Sequence, residues 1–241
     1  MQSGSIRFVL DGQIIELHDV DPTRTVLQFL REDVRRTGTK EGCAEGDCGA
    51  CTVVLAELDR SGAEIRLRAI NSCIQFLPTL DGKELITVES LSRGDKDLHP
   101  VQAALVQEHG SQCGFCTPGF VMSMYALYES NKSPGRGEID DALAGNLCRC
   151  TGYRPIIAAA ELMHSLPPND VEVVHRDALR EIGEPRALHI SHNDRSFIAP
   201  VSIDDLVQAV AANPGATLLA GGTDVGLWVT KQHRELQTVI Y

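Results

Sequence analysis

The spacing of apolar residues changes character along this chain, and each change predicts a different kind of structure. Residues 6–10 and 14–17 are short apolar, β-branched runs separated by Asp11-Gly12. That dipeptide suits a tight hairpin turn, so the chain is expected to open as a β-hairpin. Thr25 stands three residues before Gln28, a capping-box spacing, and Val26, Phe29, Leu30 and Val34 recur at helical intervals on one face. This predicts an amphipathic helix packed on a sheet. Further strands are expected over residues 52–58, 64–70 and 84–88, which makes the first ninety or so residues a small α+β domain.

From Pro100 the apolar residues take helical spacing, and Pro100, Pro118 and Pro155 each stand where a first helical position is expected. The helical stretch ends near Leu166. Residues 167–195 are polar, charged and weakly periodic, with Pro167-Pro168-Asn169-Asp170 and Gly183-Glu184-Pro185, and read as a linker. Beyond it, Ser202 can cap a helix over residues 203–212, followed by a strand at 216–220 and the turn Gly221-Gly222-Thr223-Asp224, the start of an α/β unit. The expected division is 1–90, 91–166, the linker 167–195, and an incomplete unit over 196–241. No internal repeat interrupts it.

Composition narrows the function more than the fold. The chain is 43% hydrophobic and 23% charged, values ordinary for a soluble protein, and no apolar run approaches the roughly 18 residues of a membrane helix. The amino terminus, Met1-Gln2-Ser3-Gly4-Ser5-Ile6-Arg7, lacks the basic and apolar regions of a secretory signal, so a cytoplasmic location is expected. A net charge of −11 opposes binding to phosphate backbones; neither nucleic acid nor membrane is an expected partner. Eight cysteines in a chain of 241 residues point to metal or redox chemistry, because structural disulfides are rare in a reducing compartment and most needed in much shorter chains.

Cys43, Cys48 and Cys51 follow the pattern C-x4-C-x2-C, with Cys73 as a distant fourth. This is the plant-type ferredoxin spacing for a [2Fe-2S] cluster. Gly42, Gly46 and Gly49 let the loop wrap closely, with backbone N–H groups able to point at sulfur. Zinc also binds four thiolates, but structural zinc usually takes C-x2-C pairs rather than this triplet. Cys113-Gly-Phe-Cys116 and Cys148-Arg-Cys150 form two close pairs separated by a helical stretch. Their spacing alone fits either zinc or a second cluster.

The segments Glu41-Gly-Cys-Ala-Glu-Gly-Asp-Cys-Gly-Ala-Cys51, Gln112-Cys-Gly-Phe-Cys-Thr-Pro-Gly119 and Gly145-Asn-Leu-Cys-Arg-Cys-Thr-Gly-Tyr-Arg-Pro155 closely resemble the iron–sulfur part of xanthine dehydrogenases. Aldehyde oxidoreductases, carbon monoxide dehydrogenases and related molybdenum hydroxylases share that part, and the resemblance covers about residues 5–165. It implies an α+β chain: a β-grasp ferredoxin-like domain, then an all-α four-helix domain holding a second [2Fe-2S] cluster on Cys113, Cys116, Cys148 and Cys150. It also places Gln112 and Cys150 near the pterin of a molybdenum cofactor. Leu218-Leu219-Ala220-Gly221-Gly222-Thr223-Asp224-Val225 resembles the flavin-pyrophosphate loop that opens the FAD domain of these enzymes. Physically, paired glycines between a strand and a helix let backbone N–H groups approach a pyrophosphate. Only the opening part of such a domain is present, so FAD is expected once the domain is completed.

By the same resemblance, a molybdopterin-binding large subunit hydroxylates a purine with water-derived oxygen, and electrons pass through the second cluster and then the first to FAD and NAD. This chain is then the electron-transfer subunit, with no catalytic residue of its own. Another molybdenum hydroxylase, acting on aldehydes, carbon monoxide or N-heterocycles, is the alternative. The eight histidines, His18, His99, His109, His164, His175, His189, His192 and His233, form no ligand motif and are assigned surface or capping roles. Trp228 is assigned to core packing. The adjacent carboxylates Glu32-Asp33 and Asp140-Asp141 point in different directions on helical segments and are expected to face solvent.

Overall fold

The computed structural model describes residues 4–59, 61–94, 97–184 and 186–241. Residues 1–3 of the amino-terminal segment and Pro185 of the Gly183-Glu184-Pro185 turn lie outside them. The hairpin forms as expected: β1 (Ile6–Leu10) pairs antiparallel with β2 (Gln13–Leu17). Its turn takes φ +50° at Asp11 and +73° at Gly12, the doubly left-handed backbone that matches strand twist. With β3 (Thr52–Leu58), β4 (Ile65–Asn71) and β5 (Glu84–Ile86) it makes a five-stranded sheet of order β2-β1-β5-β3-β4, in which β1 and β5 run parallel. The last of these strands stops at Ile86, two residues short of expectation, because residues 88–91 turn into a 3-10 helix.

Thr25 caps α1 (Val26–Gln28) through a reciprocal box: the Gln28 N–H donates to Thr25 Oγ1 at 3.1 Å, and the Thr25 N–H donates to Gln28 Oε1 at 2.9 Å. A π turn over Phe29–Asp33 follows. Val26, Phe29 and Leu30 are buried on the sheet, with Phe8 and Phe29 edge to face at 5.4 Å. Val34, placed by its spacing on the same face, is 36% exposed instead. The wider π turn carries it out of the 3.6-residue phase on which that placement rested.

The helical unit consists of α2 (Pro100–Gln107), α3 (Thr117–Ser130), α4 (Arg136–Leu143) and α5 (Arg154–Leu162). Pro100 takes the first helical position. Pro118 and Pro155 take the second, where the missing N–H is equally outside the helical ladder. This unit covers the face of the first sheet opposite α1: Val54, Ala56 and Ile86 share one core with Val101, Phe120, Met124, Tyr125 and Ile156. Strand β3 is therefore buried on both faces. That explains its continuous apolar run, Val53-Val54-Leu55-Ala56, in place of alternation.

The expected linker is not irregular. It carries α6 (Arg176–Ile182), whose Leu179 and Ile182 are buried, and β6 (Leu188–His192). Elements this short span too few turns to show a period. The strands β6, β7 (Arg195–Ala199), β8 (Thr217–Leu218) and β9 (Thr238–Ile240) form a second sheet of order β6-β7-β9-β8. α7 (Ile203–Ala212) has the expected bounds and its Ser202 cap, whereas β8 is two residues rather than the five expected. None of the residues of α7 is buried. Among the described residues no helix is long and apolar enough to cross a membrane.

Candidate functional site

All eight cysteines are free thiols, gathered four and four. The first loop, residues 41–51, runs from the π turn into β3 and is bent by left-handed backbone at Ala44, Gly46 and Gly49. That bend turns three backbone N–H groups, of Glu45, Asp47 and Cys48, onto Cys43 Sγ at 3.5, 3.4 and 3.3 Å. Burial opposes ionisation of Cys43, but these donors outweigh it and hold the thiol below its usual range. Cys51 and Cys73 are buried and hydrogen-bonded side chain to side chain. The bond from Cys73 brings Cys51 down to about 7, and the same contact, with burial, pushes Cys73 up. The charge of Cys43 also bears on Cys73, so the four thiols form one group. Space is as tight as charge: a Cβ on Gly42 would lie 2.9 Å from Cys48 Sγ, and one on Gly46 would overlap Ile74.

The second set sits where α3 begins and where α4 passes into α5. Cys116 is the residue before α3, and Gly114, Gly152 and Tyr153 are left-handed. The Cys148 N–H donates to Tyr153 Oη at 3.0 Å, and Cys148 Sγ is hydrogen-bonded with Thr151 Oγ1 at 3.2 Å. Burial opposes ionisation of Cys148 too, but Thr151 and Cys116 keep it low, while burial and Cys148 push Cys116 up to about 12. Cys113 and Cys150 form the other bonded pair, and both are exposed. Among the described residues no three His, Cys, Asp or Glu side chains are gathered as for a single ion. The thiols come instead in pairs, 43 with 48, 51 with 73, 113 with 150 and 116 with 148. Two thiolates for each of two irons is the donor arrangement of a [2Fe-2S] centre, whereas a zinc site needs four donors around one point.

The two sets touch. The N–H of Leu147, next to Cys148, donates to the carbonyl of Cys48 at 3.0 Å. Beside that bond the buried Asn146 reaches from the second loop to Gly49 and Thr52 of the first. Sequence reasoning assigned Asn146 no role. It lies inside the motif Gly145-Asn-Leu-Cys148, but nothing local in that motif says where an amide would find partners about a hundred residues away.

The glycine loop rests on the first set from the other side. Gly221 and Gly222 take φ +81° and +102°, and α8 (Val225–Thr230) follows. A Cβ on Gly226 would lie 2.6 Å from the Ile74 carbonyl oxygen, and Leu227 packs with Leu27, Cys51, Cys73 and Ile74. Lys231 pairs with Glu45 of the cysteine loop at 3.6 Å. Within the loop Leu219 and Gly222 are buried, Val225 is half-buried, and Leu218, Ala220, Gly221, Thr223 and Asp224 are exposed. An apolar groove of about 440 Å³ runs from Leu218 and Ala220 to Ile203 and Leu206 of α7. A more polar cavity of about 240 Å³ opens over Cys73, between Gln28, Glu41 and Thr230.

Gln112 is exposed beside Cys113, at the same open end as Cys150. His189 and His192 fall on β6 at opposite parity, and His192 pairs with Asp19 at 2.8 Å. His99 is buried as the cap of α2, accepting from the Val101 N–H, and so takes one of the assigned roles. Trp228 is half-buried against the core with Arg234 5.0 Å over its ring. Glu32 and Asp33 pair with Arg24, and Asp140 pairs with Arg136.

Residues 8–76 match the family of 2Fe-2S iron-sulfur cluster binding domains, residues 87–161 a [2Fe-2S] binding domain, and residues 191–241 the FAD binding domain in molybdopterin dehydrogenase. A xanthine dehydrogenase of Drosophila subobscura is 36% identical over 267 residues, covering 94% of this chain and 20% of its own length. Aldehyde oxidase 1 of Rattus norvegicus is 35% identical over 272 residues, with the same two shares. The chain thus spans about a fifth of the length of the curated relatives it matches. A chain of quinoline 2-oxidoreductase from Pseudomonas putida 86 superposes with a TM-score of 0.54 at 35% identity, over 68% of this chain and 98% of that one.

Proposed function

The chain belongs to the molybdenum hydroxylase family, of which it forms the iron–sulfur region and the start of the FAD domain, and on that premise we propose that it is the electron-transfer part of a xanthine dehydrogenase-like enzyme. Cys43, Cys48, Cys51 and Cys73 hold one [2Fe-2S] cluster, and Cys113, Cys116, Cys148 and Cys150 hold the other. Bound there, the clusters supply one-electron carriage, at roughly −400 mV for plant-type centres. The loop 218–225 holds the pyrophosphate of FAD. A molybdopterin-binding partner subunit supplies electrons from purine hydroxylation at the end where Gln112, Cys113 and Cys150 are exposed, and NAD receives them from the flavin. The units of this proposal are residues 1–90, 91–166 and a flavin unit that begins at β6, because β6 already pairs with β7.

The observation that carries the reading is the serial contact of three sites. The exposed thiols Cys113 and Cys150 lead to the half-buried Cys116 and the buried Cys148; one hydrogen bond joins Leu147 to Cys48; and Gly226 rests on Ile74, next to Cys73. Each residue in that series does something definite. The loop N–H groups stabilise negative charge on Cys43, Tyr153 and Thr151 fix Cys148, and Leu227 packs against the buried Cys51 and Cys73.

Anaerobic purification with iron, acid-labile sulfide and zinc analysis, and electron paramagnetic resonance of the dithionite-reduced protein, tests the cluster assignment. About four irons per chain and two distinct signals are expected; two irons with one zinc overturn it. Substrate profiling after co-expression with the molybdenum subunit tests the finer reading. Purine-dependent NAD reduction is expected, and turnover of aldehydes or N-heterocycles alone assigns the chain to another branch.

A further inference from the structure

Asn146 is 3% exposed, and its side chain makes every one of its hydrogen bonds outside its own loop. Nδ2 donates to the Gly49 carbonyl at 3.1 Å and to Thr52 Oγ1 at 3.2 Å, both in the first cysteine unit. Oδ1 accepts from Ser123 Oγ on α3 at 2.6 Å. The orientation of the amide is chemically forced: the Gly49 carbonyl can only accept, so the NH2 group must face it. Thr52 Oγ1 in turn donates to the same carbonyl at 2.7 Å, which closes a buried network of three segments.

These segments have no slack. A Cβ on Gly49 would overlap the carbonyl oxygen of Gly145, and a Cβ on Gly119, in the first turn of α3, would overlap the carbonyl oxygen of Gly49. The residue after Asn146 makes the only backbone bond between the two cysteine loops among the described residues, Leu147 N–H to Cys48 C=O. An amide that binds both loops and α3 at once fixes where this bond can form. No smaller polar side chain has two donors and an acceptor to do so.

We propose that Asn146 is a positioning residue for electron exchange between the two cysteine-held centres: its amide clamps the first cysteine loop against the second and thereby sets their separation and relative orientation. The exchange moves one electron from the reduced second centre to the oxidised first, with no bond made or broken in the protein. The inference rests on the cysteine assignment proposed above.

The test uses the full chain carrying both clusters. Two reduced clusters held on either side of so short a junction are expected to split each other's resonance lines at low temperature, and that splitting would report their separation and orientation. In Asn146→Ala the splitting is expected to narrow or vanish while about four irons per chain and both individual signals remain. Ser123→Ala leaves both Nδ2 bonds and is expected to lose less of it. A residue that only stabilised the fold would lower the unfolding temperature and leave the splitting of the loaded protein as it was. An unaltered splitting in a four-iron Asn146→Ala protein overturns the role of Asn146 alone. If that variant does not load, Thr52→Val decides by the same reading, because it removes one acceptor of the clamp at constant shape. A native protein without two signals overturns the cysteine assignment and this inference with it.

Discussion

Around Cys43, Cys48 and Cys51 the glycines are pinned by what surrounds them: Gly42 by Cys48, Gly46 by Ile74, and Gly49 by Gly145 and Asn146. Around Cys113 and Cys150 the glycines answer only to the turns they make, since Gly114 and Gly152 are left-handed with open space about them. The thiols follow the same division. Two of the first four are buried and none is exposed, whereas in the second set Cys113 and Cys150 are exposed together with Phe115 at 47% and Leu147 at 51%. One site is thus closed by its own chain and the other is closed on one side only. An exposed aromatic and leucine beside exposed thiols is costly to leave in water and suits a surface that another protein covers, which is where the proposed molybdenum subunit would dock.

The comparison is most sharply broken by removing a thiol from each site. Cys43→Ser is expected to abolish one cluster signal and Cys113→Ser the other, each halving the iron content; loss of both signals from either change would mean one shared site. Next in size is Gly49→Ala, which combines left-handed strain with overlap on Gly145. It should cost about 4 kcal/mol, read in chemical unfolding. The helical unit also carries an acid-sensitive contact. His99, packed between Tyr125 and Tyr128 in the helical unit, is pushed down to about 4 by burial, with Lys132 adding to it. Its folded pKa lies below its unfolded one, so the unfolded chain binds the extra proton. The stability is present in full above pH 6.5 and is lost as pH falls towards 4, by roughly 3 kcal/mol. His99→Gln should flatten that part of the pH profile of α2 and α3. Smallest is Gly114→Ala, with a positive φ and nothing to strike, expected at about 1 kcal/mol. If it equalled Gly49→Ala, the contrast between a packed and an open loop would be wrong.

Much of the fold was legible in sequence because its determinants are local. Asp11-Gly12, Thr25 with Gln28, Ser202 and Pro100 each act within one turn of where they stand, and the elements they start fall within a residue or two of expectation. The spacing of the first three cysteines is local in the same sense, since the loop must bend within nine residues to bring them together. Val34 and the segment 167–195 differ from expectation because the π turn breaks the helical period at the first and the elements of the second are too short to show one.

The sequence by itself determined the two thiol groups, the glycine loop and the order of the units, because donor type, turn conformation and apolar period are carried by neighbouring residues. Only the tertiary structure decided that the helical unit covers the second face of β3, that Gly226 lies on Ile74, and that Asn146 meets Gly49 and Thr52. A period shows that a face is apolar but not what covers it, and an amide shows that it needs partners but not which. Those answers depend on contacts between residues far apart in sequence, 97 positions for Asn146 and Gly49 and more for Gly226 and Ile74, fixed when the units pack together.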